Sequence, residues 1–183
     1  ALGGGLAWNT SAFATTGVIS IVNGDPFIGW AASKGLTGAP GLENGKGDDP
    51  DGDGKNNLYE FAFDGSPLSG ANDGKIVGKI GTVGGAQVLT LTLPVRNGAS
   101  FSPVSGDQVS AVVDALYYKV EGDETLGTFA GGITEVGAGT ERDDIQAGLP
   151  LLSTGWTYRT FRAPGTVPTV PKAFLRAKIS DTP

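Results

Sequence analysis

Acidic side chains recur at every second position in one short stretch of the sequence. If Asp49 is position one of a loop, Asp51 and Asp53 stand at three and five, Gly54 at six and Glu60 at twelve. This spacing matches the calcium-loop pattern D-x-[DN]-x-[DN]-G-x₅-E. A chain that curls round an ion turns alternate side chains inward, and glycine at position six permits the sharp turn. The stretch therefore predicts a Ca²⁺ site.

Two further positions complete the predicted ligand set. Lys55 at position seven would offer its backbone carbonyl, and Asn57 at position nine would bind directly or through water. Glu60 would close the shell with both carboxylate oxygens. The predicted ligands are Asp49, Asp51, Asp53, Lys55, Asn57 and Glu60. The alternative interpretation is an acidic surface loop that binds no ion.

The loop departs from an ordinary EF-hand at both of its neighbouring elements. Pro50 keeps Asp49 out of helical geometry, so no helix runs directly into the loop. Position eight, at which paired loops usually bridge, is the polar Asn56. A single loop without a bridging partner is a poor conformational sensor. We therefore expect a structural ion that ties the loop to the helix after it.

Composition narrows the chemistry to hard oxygen donors. The 183 residues include no Cys, no His and no Met. This excludes disulfides, cysteine nucleophiles, a Ser-His-Asp triad and the usual zinc sites. Carboxylates and carbonyls remain, and they suit Ca²⁺ and Mg²⁺. The chain is therefore expected to be non-enzymatic.

Charge and hydropathy narrow the partners. A formal net charge of −6 argues against nucleic acid, which requires a basic footprint. No run of about 18 apolar residues occurs, so no membrane span is predicted. The sequence starts at Ala1 and not at methionine, which indicates a processed chain or a fragment.

Glycine and proline, at 31 and 11 residues, favour strands joined by tight turns over long helices. We predict three regions: an N-terminal β segment over 1–23, short helices flanking the calcium loop over 24–68, and a β-sandwich over 69–183. The N-terminal segment would either join the later sheet or complete something upstream. The fold class is thus mostly β, an antiparallel sandwich or jelly-roll-like domain with a helix–calcium loop–helix insertion.

Two short helices are predicted beside the loop. The first lies within Asp25–Leu36, with Asp25 as N-cap and Pro26 at the first helical position. The second spans Asn57–Phe63, where Leu58, Phe61 and Ala62 share one face.

The remaining segments carry strand patterns. Leu6–Val22 is predicted to be β, and a hairpin is predicted with its turn at Gly84-Gly85. After that turn, Val88, Thr90 and Thr92 alternate with leucines, which predicts one polar and one apolar face. Further strands are predicted in the segments QVSAVVDALYYKVEG, GITEVG, GWTYRTFRAP and AFLRAKIS.

Aromatic residues offer a second possible function. Trp8, Trp156 and Tyr158 are candidates for a sugar-stacking platform, and Trp156 follows Gly155 at a strand start. The alternative is that the large aromatics fill the core. A platform requires at least two exposed, coplanar rings on one face.

Other charged groups are assigned to ordinary surface roles. The pairs Asp143-Asp144 and Asp123-Glu124 are interpreted as solvated turns, since adjacent acids on a strand point to opposite faces. Basic residues near the C-terminus are interspersed with apolar ones, which predicts an outer strand face that pairs with acids. They are Arg159, Arg162, Lys172, Arg176 and Lys178.

The segment DDPDGDGKNNLYEFAFDGSP resembles the calcium segments of dockerin-like and thrombospondin type 3-like repeats. The whole chain is similar to the C-terminal region of large secreted bacterial proteins with autotransporter-associated β-strand repeats, of the Verrucomicrobia type. The motifs that carry this resemblance are GLAWNTSAFATTGVISIV, DPFIGWAASKGL, DPDGDGKNNLYEFAFDGSPL, GWTYRTFRAPG and AFLRAK. The resemblance implies a secreted or surface-displayed protein. A dockerin pairs two such calcium repeats to bind a cohesin, whereas this chain has one.

Together these observations predict a calcium-stabilised structural or assembly module of a secreted bacterial protein. Its expected partners are Ca²⁺ and, through exposed strands, further copies of the chain or other surface proteins. A carbohydrate-binding module that uses exposed Trp and Tyr side chains is the alternative.

Overall fold

The described part of the chain forms ten strands and four short helices. The computed structural model describes residues 6–10, 12–71, 73–124, 131–169 and 172–182. Two compact units divide the chain, one made of residues 1–61 and 65–71 and the other of residues 62–64 and 72–183. The elements are β1 Leu6–Asn9, α1 Phe13–Thr16, β2 Ser20–Asn23, α2 Pro26–Ser33, α3 Asn57–Phe63, β3 Val77–Val83, β4 Ala86–Arg96, β5 Phe101–Val104, β6 Asp107–Ser110, β7 Tyr117–Asp123, β8 Thr134–Glu135, α4 Thr140–Gln146, β9 Trp156–Arg162 and β10 Phe174–Ser180.

The N-terminal segment pairs with itself. Strands β1 and β2 form a two-stranded antiparallel sheet in which Trp8 stands opposite Ile21. Within the predicted β segment Leu6–Val22, α1 forms a single helical turn between the two strands, which the sequence analysis does not predict. Gly17 ends that turn with a φ of 70°, a left-handed conformation that favours glycine.

The two helices beside the acidic loop begin where the sequence predicts. Asp25 caps α2 by accepting a 2.9 Å hydrogen bond from the backbone N–H of Phe27. Phe27 and Trp30 on α2 pack with Phe61 on α3, and their ring centroids lie 5.4–5.6 Å apart. All three rings are buried. This aromatic cluster is the core of the first unit.

The second unit is an antiparallel β-sandwich. Its sheets have the strand orders β3-β4-β9-β8 and β10-β7-β6-β5. Phe161 on β9 meets Phe101 on β5, with 4.8 Å between ring centroids, and Phe101 also contacts Tyr118 on β7. Leu93 and Val120 are fully buried. These contacts join the two sheets and confirm the predicted mostly-β sandwich.

The polar face predicted for β4 is buried and not solvated. Thr92 and Thr160 on the neighbouring β9 share a 2.9 Å hydrogen bond, and Gln146 of α4 donates to Thr160 over 3.0 Å. Ile145 of α4 packs so closely on β3 that a Cβ at Gly81 would lie 2.8 Å from it. Helix α4, which the sequence analysis does not predict, therefore covers this face.

The strand predicted within QVSAVVDALYYKVEG is divided into β6 and β7. A tight turn between them contains Asp114 and Ala115, both with positive φ, of 49° and 59°. Arg96 on β4 holds this turn through a 2.6 Å ion pair with Asp114. Within the described part of the chain, no helix is long and apolar enough to cross a membrane.

Candidate metal centre

The acidic loop folds tightly on itself before α3. The carboxylate of Asp49 accepts hydrogen bonds from the backbone N–H groups of Gly52 and Gly54, at 3.0 and 2.9 Å. Gly54 has a φ of 87°, so the position-six glycine adopts the left-handed conformation that the calcium-loop pattern requires. The backbone thus makes the sharp turn expected at this position.

This folding brings three carboxylates together. Asp49, Asp51 and Asp53 each place one carboxylate oxygen within 4.8 Å of the others. The backbone also aligns Asp51, whose Oδ1 accepts a hydrogen bond from the N–H of Asp53 at 3.1 Å. Three like charges at such separations repel one another, and a cation among them would reverse the sign of that interaction.

Two predicted ligands come from α3 and are deeply buried. Asn57 is 0% exposed and Glu60 is 3% exposed. The amide nitrogen of Asn57 donates to the carbonyls of Glu43 and Gly45, at 3.0 and 2.9 Å. These two hydrogen bonds use both amide hydrogens and leave the oxygen, Oδ1, as the remaining polar atom of the side chain.

Three buried oxygens of the predicted ligand set accept no hydrogen bond from any described residue. They are Asp51 Oδ2, Asn57 Oδ1 and Glu60 Oε2. Buried polar atoms are nearly always paired, so such a group requires a physical explanation. A bound divalent cation would supply this explanation, because carboxylate and amide oxygens are the ligands that Ca²⁺ takes in proteins. The residues present therefore fit a calcium ion.

The electrostatics at Glu60 point the same way. Burial raises the pKa of Glu60 from 4.5 to about 7, and the negative charges of Asp51 and Asp53 add to this effect. The protein alone thus disfavours the ionised form of a carboxylate that the predicted site requires to be ionised. A cation beside these groups would favour ionisation.

Lys55, whose backbone carbonyl is the predicted ligand, also contributes its side chain to the loop. Its ammonium group forms an ion pair of 2.5 Å with Asp53 Oδ2, and its backbone N–H donates to Asp53 Oδ1 at 2.8 Å. The side-chain hydrogen bond from Lys55 lowers the pKa of Asp53. Lys55 therefore pairs with Asp53, and not with Asp49 or Asp51.

Two glycines after α3 pack against the acidic residues. A Cβ at Gly65 would lie 2.9 Å from Glu60 Cβ, and one at Gly70 would lie 3.0 Å from Asp53 Cβ. The segment carrying them is thus in direct contact with two predicted ligands. Sequence reasoning missed this contribution, although the glycine spacing after the loop was a signal that another chain segment approaches closely.

The three candidate glycan-stacking residues lie in different environments. Trp8 is 59% exposed, on β1 of the first unit. Trp156 begins β9, as predicted, and is partly buried, with the guanidinium of Arg96 4.1 Å from its ring centroid. Tyr158 donates its hydroxyl hydrogen to the carbonyl of Pro150 at 2.9 Å. Both β9 side chains therefore have intramolecular partners that a sugar ring would have to replace.

The carboxylate pairs differ in their placement. Asp143 and Asp144 lie on α4, where Asp143 pairs with Arg142 at 3.0 Å, and not on a turn as predicted. Asp123 ends β7. Asp144 lines a small cavity together with Glu141.

An ionic cluster on the outer face of the β10-β7-β6-β5 sheet was predicted in part. Glu121 is 4% exposed and forms ion pairs with Lys119, Arg176 and Lys178, at 2.6–2.9 Å. Burial by itself raises the pKa of Glu121, but hydrogen bonds from the three cations outweigh it and bring the pKa down to about 2. The predicted pairing of C-terminal basic residues with acids is confirmed for Arg176 and Lys178.

Comparison with known proteins gives no family assignment. No family model matches the chain, no curated protein matches it, and no solved structure matches it. Function is therefore argued from the site itself.

Proposed function

We propose that the acidic loop and the start of α3 bind one Ca²⁺ ion, and that the ion stabilises a non-enzymatic structural module. The observation that carries this proposal is the set of three buried oxygens on Asp51, Asn57 and Glu60 that accept no hydrogen bond from any described residue. They belong to the same twelve-residue pattern as the aspartate cluster. An acidic surface loop without an ion would leave these oxygens solvated and not buried.

The proposed role of the ion is to hold the first unit together. Phe61 of the aromatic core lies one residue after Glu60, so an ion bound by Glu60 would fix the start of α3 against the loop. An ion at tenfold excess over its Kd adds about 1.4 kcal/mol to the free energy of unfolding. In a chain of this size that corresponds to a rise in Tm of about 3 to 6 °C.

We place the module in a secreted or surface-displayed bacterial protein. The resemblance to secreted proteins with autotransporter-associated repeats supports this location, and so does the ligand chemistry. Extracellular calcium is abundant enough to fill a site with Kd on the order of 10⁻⁴ M. The absence of His and Cys from the sequence supports a structural role over catalysis.

The test is a pair of melting curves, one in about 2 mM Ca²⁺ and one in chelator. We expect the Tm to be higher with Ca²⁺, and Asp51→Asn to lose that difference. The matched control is Asp143→Asn, which removes one exposed carboxylate outside the loop and should keep the calcium response. Equal Tm values in the two conditions for the unaltered protein would refute the proposal.

The alternative prediction of a glycan-binding platform has less support. Trp8 is 59% exposed, but the partners of Trp156 and Tyr158 lie within the protein. The prediction stays open to a direct binding measurement with soluble polysaccharides.

A further inference from the structure

The outer edge of β3 presents backbone hydrogen-bonding groups to solvent. β3 is the first strand of its sheet and has β4 as its strand neighbour. No described residue outside the sheet forms a backbone hydrogen bond with Gly78, Ile80 or Thr82. These three residues are also the exposed members of the strand. An unpaired edge of this kind is a template for another strand.

The register identifies which groups face outward. Ala163 donates its N–H to the carbonyl of Leu89, so odd-numbered residues of β4 face β9. Even-numbered residues of β4 must then face β3, where Thr90 stands opposite Lys79. The backbone N–H and C=O groups of Lys79 and of its alternate neighbours are therefore hydrogen-bonded to β4. The N–H and C=O groups of Gly78, Ile80 and Thr82 therefore point to the free edge.

The other edges of the two four-stranded sheets carry features that discourage strand addition. β5 contains Pro103, which lacks an N–H, and β8 is two residues long. β10 carries the exposed cations Arg176 and Lys178. Such devices are how native proteins avoid edge pairing. β3 has seven residues and no proline, and its one charge is Lys79.

We propose that β3 is a self-association site, where a second copy of the chain adds its own β3 antiparallel to form one continuous eight-stranded sheet. A two-fold axis at Ile80 pairs each outward residue with another outward residue. Ile80 meets Ile80 of the second copy, and Gly78 meets its Thr82. All three pairs exchange both backbone hydrogen bonds, and two isoleucines, each 49% exposed alone, come side by side.

The charges in this register are complementary. Lys79 stands opposite Gly81 of the second copy and not opposite its lysine. Gly81 lies under α4, beside the acidic side chains of Glu141 and Asp144, which line the same small cavity. Lys79 of the same copy lines this cavity as well, so in the joined sheet the two lysines lie in one patch of mixed charge with these carboxylates and not opposite each other.

An apolar cavity at the open side of the sandwich also favours this partner. The cavity has a volume of about 330 Å³, and Ile80, Leu89, Val167 and Phe174 are among its lining residues. Ile80 stands at the edge of the sheet, so Ile80 of the second copy adds its side chain beside this cavity. The association therefore covers apolar surface as well as pairing the backbone.

The test uses a pair of opposite charges at the two-fold axis. Sedimentation velocity of the unaltered chain from about 10 μM to about 500 μM, the range of weak interfaces, should show dimers. Ile80→Lys and Ile80→Glu each place like charges directly opposite one another, so each variant alone should be monomeric. An equal mixture of the two should recover dimers, since the opposed charges then attract.

Two further variants keep the result interpretable. Leu151→Lys adds a lysine at a side chain that is 94% exposed, and it should dimerise as the unaltered chain does. If Ile80→Lys does not fold, Thr82→Pro removes an outward N–H and should abolish dimers while the circular dichroism spectrum is retained. A monomer throughout, a dimer that survives Ile80→Lys, or a charge mixture that stays monomeric would overturn the proposal.

Discussion

The ammonium group of Lys55 lies 2.5 Å from Oδ2 of Asp53, one of the proposed calcium ligands. A protein cation and a metal ion would thus compete for the same carboxylate. The lysine side chain is 43% exposed, so it can leave the carboxylate for solvent when an ion arrives. In this arrangement Lys55 reduces repulsion within the loop and would weaken its affinity for Ca²⁺.

We therefore expect Lys55→Met to bind Ca²⁺ about three- to tenfold more tightly, because the competing charge is removed. Isothermal titration calorimetry in low salt measures this directly. Lys46→Met is the matched control, since Lys46 precedes the loop in the sequence and pairs with Asp25 at 2.9 Å. Weaker binding by Lys55→Met would show that the lysine supports the site.

Asn57 is expected to stabilise the fold even when no ion is bound. Its amide holds the carbonyls of Glu43 and Gly45, and its backbone N–H donates to Asp48 at 2.8 Å. Asn57→Ala leaves two carbonyls without their donor and should lower the free energy of unfolding by about 2 to 4 kcal/mol in chelator. Denaturant unfolding monitored by tryptophan fluorescence measures this loss. An unchanged free energy in chelator would contradict a structural role that is independent of the ion.

The ion pairs of Glu121 predict a loss of stability in acid. Its pKa is about 2 in the folded protein, against an ordinary value of 4.5. A lowered folded-state pKa contributes stability above pH 4.5, and this contribution disappears as pH falls towards 2.

Comparison with Glu121→Gln isolates this contribution from that of other carboxylates. The difference in free energy of unfolding between the two proteins should be largest near pH 7 and should shrink as pH falls below about 4.5. Urea titrations at about pH 7, pH 4 and pH 2.5 measure this difference in the free energy of unfolding. A difference that does not change with pH would rule out the ionic origin.

Tyr118 connects two elements of the second unit through its hydroxyl. The hydroxyl donates to the carbonyl of Ala62 at 2.8 Å and accepts from the N–H of Arg96 at 3.0 Å. Tyr118→Phe keeps the ring packing with Phe63 but removes this partner from the carbonyl of Ala62 and from the N–H of Arg96. We expect a loss of about 1 to 3 kcal/mol. Thermal unfolding checks this, and Tyr117→Phe is the matched control on the same strand.

Local sequence signals predicted the elements that local chemistry determines. The cap at Asp25, the Gly84-Gly85 hairpin and the bounds of α3 follow from short-range patterns. The left-handed glycine at position 54 follows from the loop pattern. In each case the residues that specify the structure are neighbours in the sequence.

The features that were missed depend on distant contacts. Helix α4 has one buried apolar side chain, Ile145, and is held by Gln146 bonding to Thr160 on β9. No apolar period in its own sequence could reveal it. Likewise, the ion pair of Lys55 with Asp53 depends on a rotamer and not on spacing, so the pattern assigned Lys55 only a carbonyl.

The threonine hydroxyls beneath α4 determine how precisely that helix is positioned on the sheet. The burial of apolar side chains is non-directional, so it specifies the position of a helix less sharply than hydrogen bonds do. The hydrogen bonds that join Thr92, Thr160 and the amide nitrogen of Gln146 are directional, and a shift by one residue would break them. The hydrogen bonds therefore fix the position of α4 along its axis, and the buried side chain of Ile145 supplies the apolar contact with the sheet.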